Sequence, residues 1–282
     1  MDFSRTPRLG RTLGLAIAAL AAPAWLAGCA SSSITQTGGL SSYEDMKDVK
    51  TTRTKARIFA QADALAAAKS VRIAAVTYGP GAADKVSADQ RALIANLVER
   101  TLCVRLSNRF DIVAGDQPAD LTIRTVITRL TPTNREAAAV MLPMRAASMA
   151  FGVPAPFRLP VGMGSFSAEG EAIDSAGARR ASMVWARGAD VLTSRARVSK
   201  IGDAYQLSDA FAGDMAALVI TARNPLHDLP KASFGKRERP VAVACDAYGK
   251  SHGAENFVGG IFGAPPEWTD GKPRPPAKSD PS

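Results

Sequence analysis

The chain has 282 residues, of which 35 are basic and 26 acidic, giving a formal net charge of +9. This length is sufficient for one sizeable hydrophobic core with terminal tails. Aromatic residues make up only 6% of the sequence, and the basic residues are scattered along it. Nucleic-acid binding relies on clustered basic residues and aromatic stacking platforms, so the composition argues against that class of protein.

The N-terminus has the pattern of a bacterial lipoprotein signal peptide. Three arginines precede an apolar run, residues 13–26, which is shorter than the roughly 20 residues that span a bilayer. The run ends in Leu-Ala-Gly-Cys at 26–29, where the thiol would receive lipid after cleavage behind Gly28. We predict a signal peptide at residues 1–28 and lipid attachment at Cys29. The alternative is an ordinary secretory signal followed by a chance cysteine.

Cleavage and lipidation would fix the location of the protein. Removal of residues 1–28 leaves 32 basic and 25 acidic residues, a net charge of +7. Two or three acyl chains anchor a protein stably to a membrane. The residue after Cys29 is Ala30 and not aspartate, which favours the outer membrane, facing the periplasm. The basic surface would meet anionic lipid or wall polymers, or it serves only solubility.

The remaining chain is predicted to form one α/β domain with flexible ends. Its fold class is an α/β (α+β) sandwich: a small mixed sheet of about four to five strands packed by two long amphipathic helices. The predicted divisions are a flexible tether at 29–42, the domain at 43–222, an irregular segment at 223–263 and a disordered proline-rich tail at 264–282.

Periodicity places the regular elements inside this domain. A capping box at Ser87–Gln90 begins a helix that runs to about Ser107, and Ser208 is predicted to cap a second helix. Residues 43–68 read as weakly helical. The predicted strands are Val71–Tyr78, Phe110–Ala114, Ala119–Thr131, a hairpin of Ser165–Asp174 with Arg179–Arg187, and a weak strand Pro240–Cys245.

Two cysteines remain if Cys29 carries lipid. Cys103 is expected on the polar side of the first long helix, with Asn96 and Glu99, where a later segment could reach it. In an oxidising compartment Cys103 and Cys245 form either a disulfide or two buried free thiols. The sequence has no Cys-x-x-Cys pair, which disfavours redox and zinc chemistry.

Residues 137–163 have an unusual composition, apolar and rich in methionine, proline and glycine. One interpretation is a helix kinked at Pro143 followed by a buried loop. The other, which we adopt, is an exposed surface for a protein partner or lipid, because methionine suits adaptable contacts. The residues predicted to form this surface are Met141, Met144, Met149, Phe151 and Phe157.

The sequence offers few groups for catalysis. Its two histidines, His227 and His252, lack metal-binding or hydrolase spacing, and we expect neither a metal nor a cofactor. Glu169 and Glu171 share one strand face about 7 Å apart, a spacing that could serve acid–base cleavage of a glycan. The more ordinary interpretation of this pair is a solvated strand face.

Several short motifs resemble a family of Gram-negative lipoproteins known only as domain of unknown function 3313. The resemblance covers roughly residues 38–222. It implies a small α/β sandwich of the sort seen in envelope assembly lipoproteins, and it implies no activity. The matching motifs are Gly39-Leu40-Ser41-Ser42-Tyr43, Val71-Arg72-Ile73-Ala74, Leu106-Ser107-Asn108-Arg109-Phe110, Ala119-Asp120-Leu121 and the hairpin from Gly164 to Ala181.

These observations favour a non-enzymatic lipoprotein of the bacterial envelope that binds a partner protein in the periplasm. Its predicted contacts are the membrane, through the acyl chains, and an envelope assembly or transport component. The alternatives are a carboxylate-dependent glycan or cell-wall hydrolase and a structural tether that contacts peptidoglycan. An exposed apolar patch near 137–163 would favour the first hypothesis, and an open cleft lined by carboxylates the second.

Overall fold

The computed structural model describes residues 32–113, 115, 117–152, 158, 161–227, 239–249 and 253–270. The side chains of residues 144–146, 149, 253–255 and 257 are not described. The predicted signal peptide, Cys29, Phe157, His252 and the tail beyond residue 270 therefore lie outside the described residues, as do the side chains of Met144 and Met149.

One mixed sheet of eight strands forms the centre of the domain, so the prediction of four to five strands was too small. The order is β1-β2-β8-β7-β6-β3-β5, and β4 pairs with β6. Strands β1, β2, β8, β7 and β6 are antiparallel, whereas β3 and β4 run parallel to β6 and β5 runs parallel to β3. The strands are β1 Lys47–Lys50, β2 Thr54–Ala60, β3 Ser70–Ile73, β4 Thr77–Tyr78, β5 Asp111–Val113, β6 Leu121–Thr131, β7 Ser165–Asp174 and β8 Arg179–Gly188.

Two of the additional strands, β1 and β2, lie where weak helix was predicted. The predicted strand Val71–Tyr78 is instead divided into β3 and β4. At the break, the backbone N–H of Val76 donates to the Glu99 carboxylate at 2.7 Å and not to a neighbouring strand. The hairpin β7–β8 and the long strand β6 have nearly the predicted bounds.

Helices α1, α2 and α4 pack on one face of the sheet. The helices are α1 Ala62–Ala67, α2 Ala88–Leu106, α3 Arg135–Phe151, α4 Gly202–Thr221, α5 Gly253–Ile261 and α6 Pro266–Thr269, with a 3₁₀ helix at Val243–Tyr248. The capping box of α2 is confirmed: Gln90 N donates to Ser87 Oγ, and Ser87 N donates to Gln90 Oε1.

Helix α4 begins six residues before the predicted cap Ser208. Ser208 lies inside the helix, where its hydroxyl donates to the Tyr205 carbonyl at 3.0 Å. The start of α4 is fixed by Asp203, whose backbone N–H donates to Thr133 Oγ1 and whose carboxylate accepts from Gly164 N–H at 2.7 Å. Such distant partners leave no pattern in the local sequence.

The principal core lies between the sheet and helices α2 and α4. Phe166, Trp185 and Phe211 meet there with ring centroids 6.0–6.3 Å apart. Gly170 of β7 permits this close approach, because a Cβ at that position would lie 3.2 Å from Met215 Sδ and Phe211 Cζ. The prediction of a sheet packed by two long helices is confirmed in this layer.

The C-terminal part packs outside α2. Cys103 and Cys245 are joined by a disulfide with a Cα–Cα distance of 5.6 Å, and both are buried, so a later segment does reach Cys103 on α2. The predicted strand Pro240–Cys245 is wrong, because this region leads into the 3₁₀ helix.

The residues up to 270 are also more regular than predicted. Asp270 is buried, pairs with Arg100 at 2.6 Å, and accepts from the Tyr205 hydroxyl at 2.6 Å. These contacts hold α6 against α2 and α4, so that the described part of the predicted disordered tail, residues 264–270, is ordered.

Candidate functional site

The face of the sheet opposite the helices is polar, and along β7 it is also buried. Along β7, Phe166, Ala168 and Gly170 point to the helices, so Ser167, Glu169 and Glu171 point to the opposite face. Both glutamates have 0% of their surface exposed. The prediction of a solvated strand face was therefore wrong. The cause is a stretch of chain distant in sequence, residues 32–43, here called the N-terminal segment.

The N-terminal segment saturates Glu169 with hydrogen-bond donors. The backbone N–H of Thr37 donates to Oε1 at 3.0 Å, and that of Gly39 donates to Oε2 at 2.9 Å. The Thr37 hydroxyl adds a bond to Oε2 at 3.1 Å, and the Tyr43 hydroxyl donates to Oε1 at 2.7 Å. A buried carboxylate requires such partners, because leaving it unpaired away from water costs several kcal/mol.

Glu171 is bound in the same way one step along the strand. Its Oε2 accepts from the backbone N–H of Ser41 at 2.9 Å and from the Ser41 hydroxyl at 2.7 Å. Its Oε1 lies 3.3 Å from the guanidinium of Arg124 on β6. The carboxylates of β7 are therefore neutralised by donors from the N-terminal segment and by one arginine of the sheet.

The N-terminal segment runs in the same direction as β7. Ser41 lies beside Glu171, Thr37 beside Glu169, and the Ser32 and Ser167 hydroxyls are 3.3 Å apart. The segment thus leaves the domain at the end of the sheet where β7 begins. The predicted flexible tether is wrong for residues 32–42, because its backbone amides find buried acceptors on the sheet.

The N-terminal segment approaches the sheet closely at Gly39. A Cβ at Gly39 would lie 2.6 Å from Glu169 Oε2 and 2.9 Å from Val126 Cγ2, too close for any side chain. The next residue, Leu40, is buried. Burial, followed by the hydrogen bond to Glu169 and its charge, raises the pKa of Tyr43 above its ordinary value of 10.0, which keeps the hydroxyl protonated as a donor.

The motif Gly39-Leu40-Ser41-Ser42-Tyr43 thus supplies much of this binding. Sequence reasoning associated it with a family but did not pair it with the glutamates. A pair of acidic residues alternating on one strand, together with a glycine- and serine-rich stretch able to expose backbone N–H groups, was the available signal. Nothing local joins the two, since they are separated by about 130 positions.

The other candidate groups for chemistry are dispersed. The ring Nε2 of His227 lies 2.7 Å from the Lys50 carbonyl oxygen, at the edge of the sheet. Among the residues that the structure describes, no group of three or more His, Cys, Asp or Glu side chains could hold a metal ion. Within the same residues, no helix combines the length and hydropathy required to cross a membrane.

The predicted partner surface on α3 is divided between interior and solvent. Met141 is 2% exposed and packs with Ala138 and Ala196, so it belongs to a small second core and not to a surface. Phe151 is 80% exposed and Val140 56%. Pro143 lies inside the helix without ending it, and the helix stops at Gly152, whose φ of 63° suits glycine.

The region around α3 is joined to the body of the domain by polar contacts. Arg158 makes a buried bidentate ion pair with Asp203 at the start of α4. Asn134 caps α3 by accepting from Ala137 N–H at 2.9 Å, and its own N–H donates to the Gly162 carbonyl at 2.8 Å. Val161, which directly precedes Gly162, is exposed.

These features define a class of protein: a mixed α/β domain that carries its own N-terminal segment bound across the open face of its sheet. The chain belongs to the family described as protein of unknown function (DUF3313), whose match covers residues 35–215. The resemblance inferred from the sequence is thereby confirmed. The matched range contains most of the N-terminal segment and ends within α4, so the 3₁₀ helix, α5 and α6 lie beyond it.

Comparison with solved structures finds distant likeness to two structures of PelC. A PelC variant dodecamer from Paraburkholderia phytofirmans matches with a TM-score of 0.34 and 12% sequence identity over 60% of this chain and 99% of that chain. A second PelC dodecamer from the same organism matches with a TM-score of 0.32 and 13% identity over 63% and 99% of the respective chains. No curated protein matches.

Proposed function

We propose that this protein is a lipoprotein of the bacterial outer membrane whose domain acts in the periplasm as a non-enzymatic binding or assembly module. The observation that carries the proposal is the bound N-terminal segment. Its first described residue, Ser32, already lies against the sheet, three positions after the predicted lipid-attachment residue Cys29. A domain that binds its own N-terminal segment in this way is fixed close to its anchor.

The geometry gives the anchor a short reach. Three residues in fully extended form span at most about 10 Å. A free tether of 29–42 would have given the domain a reach several times longer. The hydrogen bonds of the N-terminal segment to Glu169 and Glu171 therefore convert a flexible tether into a fixed attachment. The domain would work next to the bilayer surface, and a partner would meet it there.

The glutamates favour binding over glycan hydrolysis. General acid–base cleavage requires carboxylates that can reach a substrate and exchange protons with it. Glu169 and Glu171 are buried, and three of their four oxygens accept hydrogen bonds from the N-terminal segment, while the fourth faces Arg124. The disulfide between Cys103 and Cys245 is the kind of bond found in oxidising compartments such as the periplasm.

The anchor is tested by Cys29→Ser in the full-length chain, with metabolic labelling by radioactive palmitate and separation of membranes. We expect loss of label and release from the membrane fraction, since only a thiol forms the thioether. Ala30→Asp is the matched control, because it keeps the thiol and should retain the label while moving the protein to the inner membrane. A mature N-terminus elsewhere than at Cys29, found by mass spectrometry, would overturn the proposal.

The binding role is tested by cross-linking in intact envelopes, comparing the natural protein with Glu169→Gln. A specific envelope protein should cross-link to the natural chain. The hydrolase alternative predicts instead that purified natural protein releases fragments from cell walls and that Glu169→Gln abolishes this release. Wall fragments released by the natural protein and not by the variant would replace the proposed function by the alternative.

A further inference from the structure

The exposed face of α3 has no covering element in the part of the chain that the structure describes. Val140 and Phe151 are separated by 11 residues, about three turns, so they lie on the same face of the helix. Pro143 and Ala147 lie between them and are also exposed. The opposite face packs through Ala138 and Met141. An exposed apolar stripe of this kind marks an interaction surface.

The position of α3 relative to the point where the N-terminal segment leaves the sheet, at Ser32, identifies what would cover the stripe. Ser32 lies beside Ser167, two residues from the start of β7 at Ser165. Ser165 pairs with Thr131, the last residue of β6, and the two hydroxyls are hydrogen-bonded at 2.7 Å. Helix α3 begins four residues after Thr131. Ser32, where the N-terminal segment leaves the sheet, and the N-terminus of α3 are therefore at the same end of the sheet.

We infer that the exposed apolar face of α3 inserts into the lipid surface to which the N-terminus is anchored, as a second membrane contact. This inference rests on the proposed lipidation of Cys29. With at most about 10 Å of chain between Cys29 and Ser32, the bilayer surface must lie next to this end of the sheet. Helix α3, which has 17 residues and is about 25 Å long, begins at this same end of the sheet, where its apolar face can meet the lipid.

The charges around the base of α3 suit the same surface. Three cations are exposed there against one carboxylate, Glu136 in the first turn of α3. Arg129 lies near the end of β6, Arg135 begins α3, and the Lys200 carbonyl accepts from Thr133 N–H. Cationic side chains beside an apolar helix face are the composition of interfacial membrane contacts, since they meet anionic headgroups.

The test uses the full lipidated chain on vesicles of phosphatidylethanolamine and phosphatidylglycerol. Phe151→Cys introduces a labelling site for an environment-sensitive fluorophore, because Cys103 and Cys245 are buried in a disulfide. Val140→Cys is a second probe of the same face. Ala176→Cys is the matched control: it is exposed in the β7–β8 turn, and β7 spans ten residues, which puts the control about 30 Å away.

Flotation of each sample reports the anchor, and quenching by brominated lipid reports insertion. We expect all three variants to float, with a blue-shifted and quenched label at 140 and 151 and an unchanged label at 176. Flotation with unquenched labels at 140 and 151 overturns the inference and leaves the proposed function standing. Absence of flotation removes the anchor and the inference with it.

A second copy of the chain is the other possible occupant of the stripe. For this outcome, the label at 151 is measured without vesicles in the Cys29→Ser background over a range of protein concentrations. A blue shift that grows with protein concentration would show that copies cover the face, and it would overturn the assignment to lipid. A label whose emission does not shift at any protein concentration supports the assignment to lipid.

Discussion

Both faces of the sheet are buried along β7, but different interactions cover them. The helix side is covered by α2 and α4 over an apolar surface that includes Phe166, Trp185 and Phe211. The other side is covered around β7 by the N-terminal segment over two carboxylates. Burial of apolar surface holds the helices on one face, whereas individual hydrogen bonds with fixed partners hold the N-terminal segment on the other.

This difference indicates where each face is vulnerable. Hydrophobic burial is non-directional, so damage on the helix side should scale with the volume removed and affect the whole fold. Hydrogen bonds to a buried carboxylate depend on the position of single atoms, so damage on the other side can come from one added methyl group. Its consequence should be local, since the N-terminal segment can detach into water while the sheet stays folded.

The largest effect on the helix side should come from its covalent bond. The Cys103–Cys245 disulfide closes a loop with a sequence separation of 142, worth about 5 kcal/mol in the chain-entropy model. We expect Cys103→Ala/Cys245→Ala to lower the free energy of unfolding by up to this amount in urea titrations. Reduction of the natural protein under denaturing conditions provides the matched control. Thiol labelling that finds both cysteines free in native envelope extracts would contradict the assignment.

A second test compares two phenylalanines of opposite exposure. Phe211 has 0% of its surface exposed and Phe151 has 80%. Phe211→Ala should cost about 3–5 kcal/mol in the free energy of unfolding, because it leaves a cavity beside Phe166 and Trp185. Phe151→Ala should cost less than about 0.5 kcal/mol in the absence of membrane. Similar losses in both variants would mean that α3 is packed as core and not exposed.

The same contrast explains how much the sequence could predict. Helix periodicity gave the extent of α2 because a capping box and an apolar stripe are local patterns, and alternation gave β6 and the β7–β8 hairpin. The alternation along β7 correctly indicated that Glu169 and Glu171 share one polar face of the strand. What covers that face depends on residues about 130 positions away, so the pair was taken as solvated.

The missed strands have a related cause. In β2 the residues on the helix side are Ala56, Ile58 and Ala60, of which two are small, and the intervening Lys55 and Arg57 are compatible with a helix as well. Sheet formation is decided there by pairing with β8 over seven residues. The edge strand β1 carries Lys47 and Lys50, charges that protect an exposed sheet edge from pairing with other chains.

The polar face can be tested with a single methyl group. Gly39→Ala would place its Cβ 2.6 Å from Glu169 Oε2 and displace the Gly39 N–H and the neighbouring donors of Thr37. We expect a loss of about 2–3 kcal/mol from hydrogen bonds to a charged acceptor. In hydrogen-exchange measurements the loss should appear as faster exchange in residues 37–43, with the helix side unchanged.

The control for this substitution is Gly79→Ala. A Cβ at Gly79 would meet Thr37 at 3.4 Å, an ordinary contact, so it touches the same segment without displacing it. Hydrogen exchange should be little changed in this variant. Equal acceleration in both variants would show that the N-terminal segment is not held by the Glu169 hydrogen bonds in particular.

The smallest expected effect concerns a charge that interrupts the apolar face. Asp214 of α4 accepts from Trp185 Nε1 at 2.8 Å. Burial raises its pKa to about 6, although the Trp185 hydrogen bond and the nearby Arg187 and Arg105 act in the opposite direction. Its pKa in the unfolded chain is about 3.9. Between these values the folded state binds more protons, so the Asp214 contribution to stability falls as pH rises from about 4 to 6.

We expect this contribution to amount to about 1–2 kcal/mol, reduced from the full linkage value because the side chain keeps some contact with solvent. Asp214→Asn retains an acceptor for Trp185 and removes the titration. The difference in unfolding free energy between the variant and the natural protein should therefore shift in favour of the variant as pH rises from about 4 to 6, and become constant above that range. Taking the difference cancels the contributions of Asp120 and Asp174 to the pH dependence of stability. Their pKa values are lowered by hydrogen bonds, so their stabilisation is lost as pH falls.

A difference that does not vary with pH would show that Asp214 is as well solvated in the folded protein as in the unfolded chain. Asp214 would then not be a charge isolated from water on the helix side, and the contrast between the two faces would be sharper than the structure indicates.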